Sequence, residues 1–180
     1  MMHMNYCMEC GTLLHPKSHG EDGILPYCDS CSAFRYPVFN TAVSLLVVDE
    51  AEENILLIRQ YGRPQYILVA GYVNQGEDAE DAARRELMEE LGLRAVSVRF
   101  NRSRYFAPSN TLMLNFTVRV SEKAARPNRE VDSWQWFTLS QARESIKPGS
   151  LAEAFLLGWL DGEYHFPAQK LPGETEGQTP

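Results

Sequence analysis

Three glutamates, Glu86, Glu89 and Glu90, make the densest chemical grouping in the chain. In a helix over 78–91 they fall at i, i+3 and i+4, stacked on one face. Like charges at that spacing repel, so a helix serving structure alone gains nothing from them. A divalent cation reverses the sign of that argument, because hard cations take oxygen ligands. A second grouping is built from sulfur. The four cysteines stand as Cys7-x2-Cys10 and Cys28-x2-Cys31, with seventeen residues between the pairs. Two knuckles at this separation match a structural zinc site. Four thiolates close a tetrahedral shell and leave no open catalytic position. His3, His15 and His19 are then spare. Disulfides are the alternative, but the opening MMHMNYCMEC has no apolar leader, which argues for a reducing, cytoplasmic setting.

The acidic group sits in a longer pattern. Gly71, Glu77, Arg85, Glu86, Leu87, Glu89, Glu90, Gly92 and Leu93 fill every specified place of G-x5-E-x7-R-E-U-x-E-E-x-G-U, where U is bulky and aliphatic. With ordinary residue usage, a chance match in a chain of this length is on the order of one in ten million. The segment resembles the Nudix hydrolases. That resemblance implies an α/β/α sandwich around a mixed sheet and hydrolysis of a pyrophosphate bond with magnesium or manganese. It makes Glu86 and Glu90 the main metal ligands, with Glu89 completing the cluster and standing first as general base. The carbonyl of Ala70 adds an oxygen, Arg85 orients Glu86, and Glu77 supports the group from the loop. Glu130 precedes Trp134, Trp136 and Phe137, as a metal-binding glutamate does in NADH pyrophosphatases; as a lone residue it reads equally well as surface charge.

The agreement with NADH pyrophosphatases extends further. A four-cysteine ribbon is followed by Arg35-Tyr36-Pro37, then Ala70-Gly71-Tyr72-Val73, then Ser150-Leu151-Ala152 and Trp159. Tyr36 and Ala152 match positions that contact substrate in that family. The sequence begins near the ribbon, where the family carries a further N-terminal domain. The family's specificity array is altered here to Ser103–Met113, with Phe106 in place of a tryptophan and Thr111 in place of a serine. Arg59-Gln60-Tyr61 resembles a segment of ADP-ribose pyrophosphatases, and Pro108 lies fifteen residues past the box, as a proline does in related enzymes. Tyr36, Tyr105 and Phe106 offer faces for stacking on adenine, with core packing the alternative for Phe106. Arg104 offers a planar fork to a phosphate or a solvated surface charge.

Composition agrees with a soluble globular protein: of 180 residues, 44% are hydrophobic and 23% charged. The net charge is −7, and residues 71–93 supply five of those charges, as seven acids against two arginines. An acidic chain is a poor binder of extended nucleic acid. Its acidic centre repels a phosphate substrate unless metal ions intervene. No apolar run reaches a membrane span. The expected organisation is a zinc ribbon over 1–36, a Nudix domain over 37–165 and a mobile tail over 166–180.

The elements that must position these groups are legible in outline. Residues 42–48, 55–58 and 131–137 read as strands. Residues 111–120 alternate apolar with polar, the mark of a strand with one buried face. Ala79, Ala83, Leu87 and Leu91 form the buried stripe of the box helix, with Gly92 as its C-cap. Ser150 and Glu153 form a capping box opening a second helix that runs to Leu160. The expected substrate is a small nucleotide, an adenine dinucleotide or ADP-sugar of the NADH or ADP-ribose type. Capped RNA ends or nucleoside triphosphates are the alternative, and a non-enzymatic nucleotide-sugar sensor is another. A homodimer is implied by resemblance.

Overall fold

A computed structural model describes residues 4–164 of the chain. The C-terminal segment expected to be mobile, and His3, lie outside the described residues. Three short strands form the ribbon: β1 (His15–Ser18), β2 (Ile24–Cys28) and β3 (Ala33–Phe34), antiparallel in the order β1-β2-β3.

The main sheet contains β4 (Asn40–Val48), β5 (Asn54–Gln60), β6 (Val69–Tyr72), β7 (Ala95–Phe106), β8 (Thr111–Val120) and β9 (Val131–Thr138). The order is β7-β8-β4-β5-β9, with β6 also paired to β4. Only β4 and β8 run parallel, so the sheet is mixed. Strand β4 divides its free edge: its first half pairs with β6 and its far end with β5. Three helices complete the domain, α1 (Ala79–Leu91), α2 (Leu139–Ser145) and α3 (Leu151–Leu160).

The period of two explains why β4 is apolar throughout. Val43, Leu45 and Val47 enter one core with Ala83, Leu87 and Leu91 of α1. Leu46 and Val48 enter the other with Ala142 of α2 and Phe155, Leu156 and Trp159 of α3. Helices on both faces make this an α/β/α sandwich. Ala82 joins the α1 stripe at 0% exposure, widening the face read from every fourth residue.

Two local expectations need correction, and two elements lie outside the sequence pattern. Strand β8 is buried on both faces, not one, because it lies between β7 and β4 under helices on either side. Its polar positions survive burial through mutual hydrogen bonds. Asn115 donates to the Ser44 carbonyl at 3.0 Å, Asn101 donates to Asn115 at 2.9 Å, and Thr117 donates to Asn101 at 3.0 Å. The Ser150 capping box is only half formed. Ser150 Oγ accepts from the Glu153 amide at 3.0 Å, but the Glu153 carboxylate turns to the Gly149 amide at 2.7 Å. A reciprocal box instead opens the unforeseen helix α2, between Thr138 and Gln141. Strand β7 also escaped the pattern, since as an edge strand it keeps Arg99 and Arg102 exposed and interrupts its alternation with bulges.

Candidate active site

Helix α1 begins after Asp78 and ends at Gly92, whose left-handed φ of 64° returns its amide to the Met88 carbonyl. Leu87 and Leu91 bury one side against the sheet, which fixes the rotation of the acids. Glu90 is drawn inward to 3% exposure, whereas Glu89 stays 57% exposed at its side chain. Glu86 lies between, at 13%.

Arg85 organises this end of the site. Its Nε and Nη2 donate to both oxygens of Glu77 at 2.7 and 2.9 Å. Its Nη1 donates to Glu86 at 2.6 Å and to Glu89 at 3.1 Å. Nη2 also reaches the Tyr72 carbonyl at 2.9 Å. These contacts use up the guanidinium's donors within the chain. Glu77 accepts the Asn74 amide at 3.0 Å as well. The Arg85 guanidinium beside it, with that amide, holds its carboxyl down at about 2. Gly71, in β6, lies directly against the Glu86 carboxylate, and a Cβ there would overlap it. The first glycine of the box is thus a matter of space. Its neighbour Ala70 is exposed on the same strand.

Glu90 carries the strongest electrostatic perturbation of the group. Burial pushes its carboxyl up to about 8, and the charges of Glu86, Glu130 and Glu89 push the same way. The Gln60 amide donates to it at 3.0 Å and opposes the rise. Tyr61, the next residue, donates its hydroxyl to Glu130 at 3.0 Å. Tyr61 takes a left-handed φ of 54°, followed by Gly62 at 68°, costly for a bulky residue and reasonable only in a tight turn. A bulge between β5 and β9 lets Asp132 slip from the ladder and accept the Gly62 amide at 2.6 Å. Behind this turn, Arg59 stacks 4.0 Å above the Tyr66 ring, with its Nε buried and unpartnered.

Gln60 and Tyr61 were not among the site residues read from sequence. Their signal was present in the Arg59-Gln60-Tyr61 segment, but nothing local says that the two side chains reach Glu90 and Glu130.

The expected substrate residues divide. Tyr105 is 53% exposed, donates to Asn110 at 2.6 Å and stands edge-on to Phe39. Its register partner Leu112 pairs in turn with Thr41, on the α1 face. Arg104 and Phe106 alternate to the other face, with Met113 and Thr111. Thr111 is 1% exposed and donates to the Ser109 carbonyl at 3.0 Å. Ala152 lies half-buried in the first turn of α3, packed against the core of that second face. Tyr36 is exposed beside His19 on the ribbon.

The cysteines come together as their spacing requires. Cys10 and Cys28 have sulfurs 3.5 Å apart, and Cys7 and Cys31 3.9 Å. A tetrahedral zinc with Zn–S near 2.3 Å sets sulfurs roughly 3.8 Å apart. The geometry therefore suits a four-thiolate zinc centre and is too long for a disulfide. Arg35 donates to Cys7 through Nε and Nη2 at 3.3 and 3.2 Å, an outer partner for a thiolate. Burial alone would raise Cys7, yet the Cys10 and Glu9 amides and the Arg35 guanidinium hold it down at about 6. His15 and His19 pair with Asp29 and Asp22 instead of joining the cluster. Among the described residues these cysteines form the one group whose ligand atoms all lie within 4.8 Å. The box carboxylates stand further apart, with Glu86 and Glu89 drawn onto Arg85.

Residues 38–156 match the NUDIX domain family. The chain belongs to the NUDIX family. The NAD-capped RNA hydrolase ndx-9 of Caenorhabditis elegans is 29% identical to it, over 78% of this chain and 38% of its own length. The NAD-capped RNA hydrolase NudC of Pseudomonas aeruginosa is 28% identical over 76% of this chain and 49% of its own length. The chain thus spans about half the length of such curated relatives, or less. A NUDIX hydrolase from Nitrosomonas europaea shares the fold with a TM-score of 0.66, covering 90% of this chain and 93% of that one at 18% identity. The NUDIX domain of Shewanella oneidensis NrtR, solved with ADP ribose, does so with a TM-score of 0.57 and 14% identity, over 76% of this chain and 92% of its own. No helix among the described residues is long and apolar enough to cross a membrane.

Proposed function

We propose that the chain hydrolyses the pyrophosphate bond of a nucleoside diphosphate linked to a second group, with an adenine dinucleotide or ADP-sugar of the NADH or ADP-ribose type as substrate. The observation that carries this reading is the acid set on α1: Glu86, Glu89 and Glu90, with Glu130 brought alongside by Tyr61. A structural helix would not bury Glu90 among like charges, whereas a hard-cation site requires such a donor set. Glu86, Glu90 and Glu130 are the residues that would hold magnesium or manganese, with Glu89 and the Ala70 carbonyl beside them. When bound, the metal supplies acidified water and neutralises phosphate oxygens.

The chain's own residues prepare that chemistry. Arg85 holds Glu77, Glu86 and Glu89 in one fan, so that little side-chain entropy is lost when substrate arrives. Gln60 holds Glu90 by its amide. Glu89, the most exposed of the four box glutamates, meets Arg85 through one oxygen and keeps the other to take a proton from an attacking water, and is our choice as general base. The ribbon is proposed to hold one structural zinc through Cys7, Cys10, Cys28 and Cys31, which a sheet of three short strands needs in order to fold. A homodimer in the cytoplasm is part of the same proposal.

The names of the curated relatives favour a second reading, in which the dinucleotide is the cap of an RNA. Product release from NADH, ADP-ribose, FAD, diadenosine polyphosphates, nucleoside triphosphates and NAD-capped RNA, with magnesium or manganese, separates the readings. Hydrolysis of NADH or ADP-ribose to a nucleoside monophosphate is the expected result. Turnover of triphosphates alone would overturn it, and inactivity across the panel with tight ligand binding would mark a sensor.

A further inference from the structure

A cavity of about 210 Å3 adjoins the acid cluster, lined by Gln60, Tyr61, Arg63, Gln65, Ile67 and Lys147. Sites for whole drug-sized ligands run to about 300–1,000 Å3, so this space suits one chemical group. It shares a wall with the acids, because Gln60 ends on Glu90 and Tyr61 on Glu130. Its remaining lining has the opposite sign. Arg63 comes from the turn after β5, where its amide donates to the Gln60 carbonyl at 3.1 Å. Lys147 follows α2 and is fixed by its amide on the Tyr66 carbonyl at 2.8 Å.

Arg35, Arg85, Arg102, Lys123 and Arg143 each pair with an acid. Among the described residues, Arg63 and Lys147 form no ion pair, a state shared by nine other cations there; what sets these two apart is that they line this cavity. In a chain of net charge −7, two unpaired cations beside an acidic centre create a local reversal of potential. An anion placed there gains charge-assisted hydrogen bonds from a planar fork and a point charge. Gln60 and Gln65 supply further amide donors.

We propose that this cavity binds a phosphate carried on the ribose of the substrate, outside the pyrophosphate that is cut. The inference rests on the nucleotide pyrophosphatase reading above: the neighbouring group on a nucleotide that is anionic, and small enough for one cavity, is a ribose phosphate. Two substrates carry one. It is the 3′ phosphodiester where an RNA follows a dinucleotide cap, or the 2′ phosphate of a phosphorylated dinucleotide.

The test compares kcat/KM on NADH against NADPH, and on NAD against NAD bearing a 3′-linked nucleotide, for the wild type and for Arg63→Ala/Lys147→Ala. The wild type is expected to prefer one phosphorylated substrate over its parent, and the variant to lose about tenfold in that ratio, as for a lost charged hydrogen bond. Preference for the 3′-linked substrate identifies RNA, and preference for NADPH the phosphorylated dinucleotide. A ratio unchanged by the double substitution overturns the proposal. Failure to cut any of these removes the nicotinamide-dinucleotide substrate but leaves the cavity open to direct measurement. Calorimetry with adenosine 2′,5′-bisphosphate, adenosine 3′,5′-bisphosphate and 5′-AMP then decides. A bisphosphate that binds more tightly than 5′-AMP only in the wild type supports the site, and equal affinities overturn it.

Discussion

Replacing Glu90 by glutamine should stabilise the metal-free protein while abolishing turnover. Glu90 is 3% exposed and its carboxyl is pushed up to about 8 by burial and by Glu86, from an ordinary 4.5. The folded chain therefore keeps a proton that the unfolded chain releases above 4.5. Folding is favoured in full below that pH, and stability is lost as pH rises towards about 8. Across the whole interval the loss is on the order of 4–5 kcal/mol at 1.36 kcal/mol per pKa unit. Glutamine is never charged, so the variant avoids this loss. It keeps an oxygen for the Gln60 amide but places a new buried N–H there, at a cost of about 1–3 kcal/mol if unmatched. The net gain is then roughly 2–3 kcal/mol above pH 8, or about 5–10 °C in Tm for a domain of this size. It should vanish near pH 6, where the avoided loss of about 2 kcal/mol equals the cost of the new N–H, and by about pH 5 the variant should be the less stable of the two. The assay is thermal unfolding between these limits, in buffer without magnesium or manganese and with zinc retained. Parallel pH profiles for wild type and Glu90→Gln would refute the reasoning, because they would mean that burial does not hold Glu90 protonated. Adding magnesium should raise the wild-type Tm and leave the variant unmoved. Turnover should fall by orders of magnitude, a trade of stability against function.

Gly71→Ala forces the Glu86 carboxylate from its place and should lower kcat by about 100-fold, the scale of a misplaced group, with circular dichroism unchanged. Retained activity would show that Glu86 tolerates a shift. Arg85→Lys keeps the charge but cannot span Glu77, Glu86, Glu89 and Tyr72 at once. Its kcat/KM should fall at least tenfold, and a near-normal value would disprove the organising role of the guanidinium. Treatment with a thiol-reactive reagent should release one zinc per chain, read with a metallochromic dye. Cys28→Ser, at a fully buried ligand position, should abolish that release and melt the ribbon while leaving the α1 core folded.

Much of the site could be read from residue order because it is local. The helical repeat alone puts Glu86, Glu89 and Glu90 on one face, and two x2 knuckles announce a shared metal. Apolar runs announced β4 and β5 for the same reason. The double burial of β8 was hidden, since alternation records polarity and cannot reveal that Asn115 and Thr117 meet partners from β4 and β7. Helix α2, seven residues long, is too short for periodicity to register.

What residue order determined by itself was the chemistry offered: a row of carboxylates that only a cation makes favourable, and four thiolates at zinc spacing. What only the tertiary structure decided was which carboxylate is buried, and who holds it. Glu89 and Glu90 are neighbours of the same type, yet one is exposed and the other is pressed against Gln60. That difference comes from the rotation of α1 on the sheet. Gln60 and Glu90 lie thirty positions apart, Tyr61 and Glu130 sixty-nine, and Lys147 reaches their cavity from beyond α2. Contacts at such separations arise from the pairing of β5 with β9 and its bulge, a long-range geometry that no local pattern encodes.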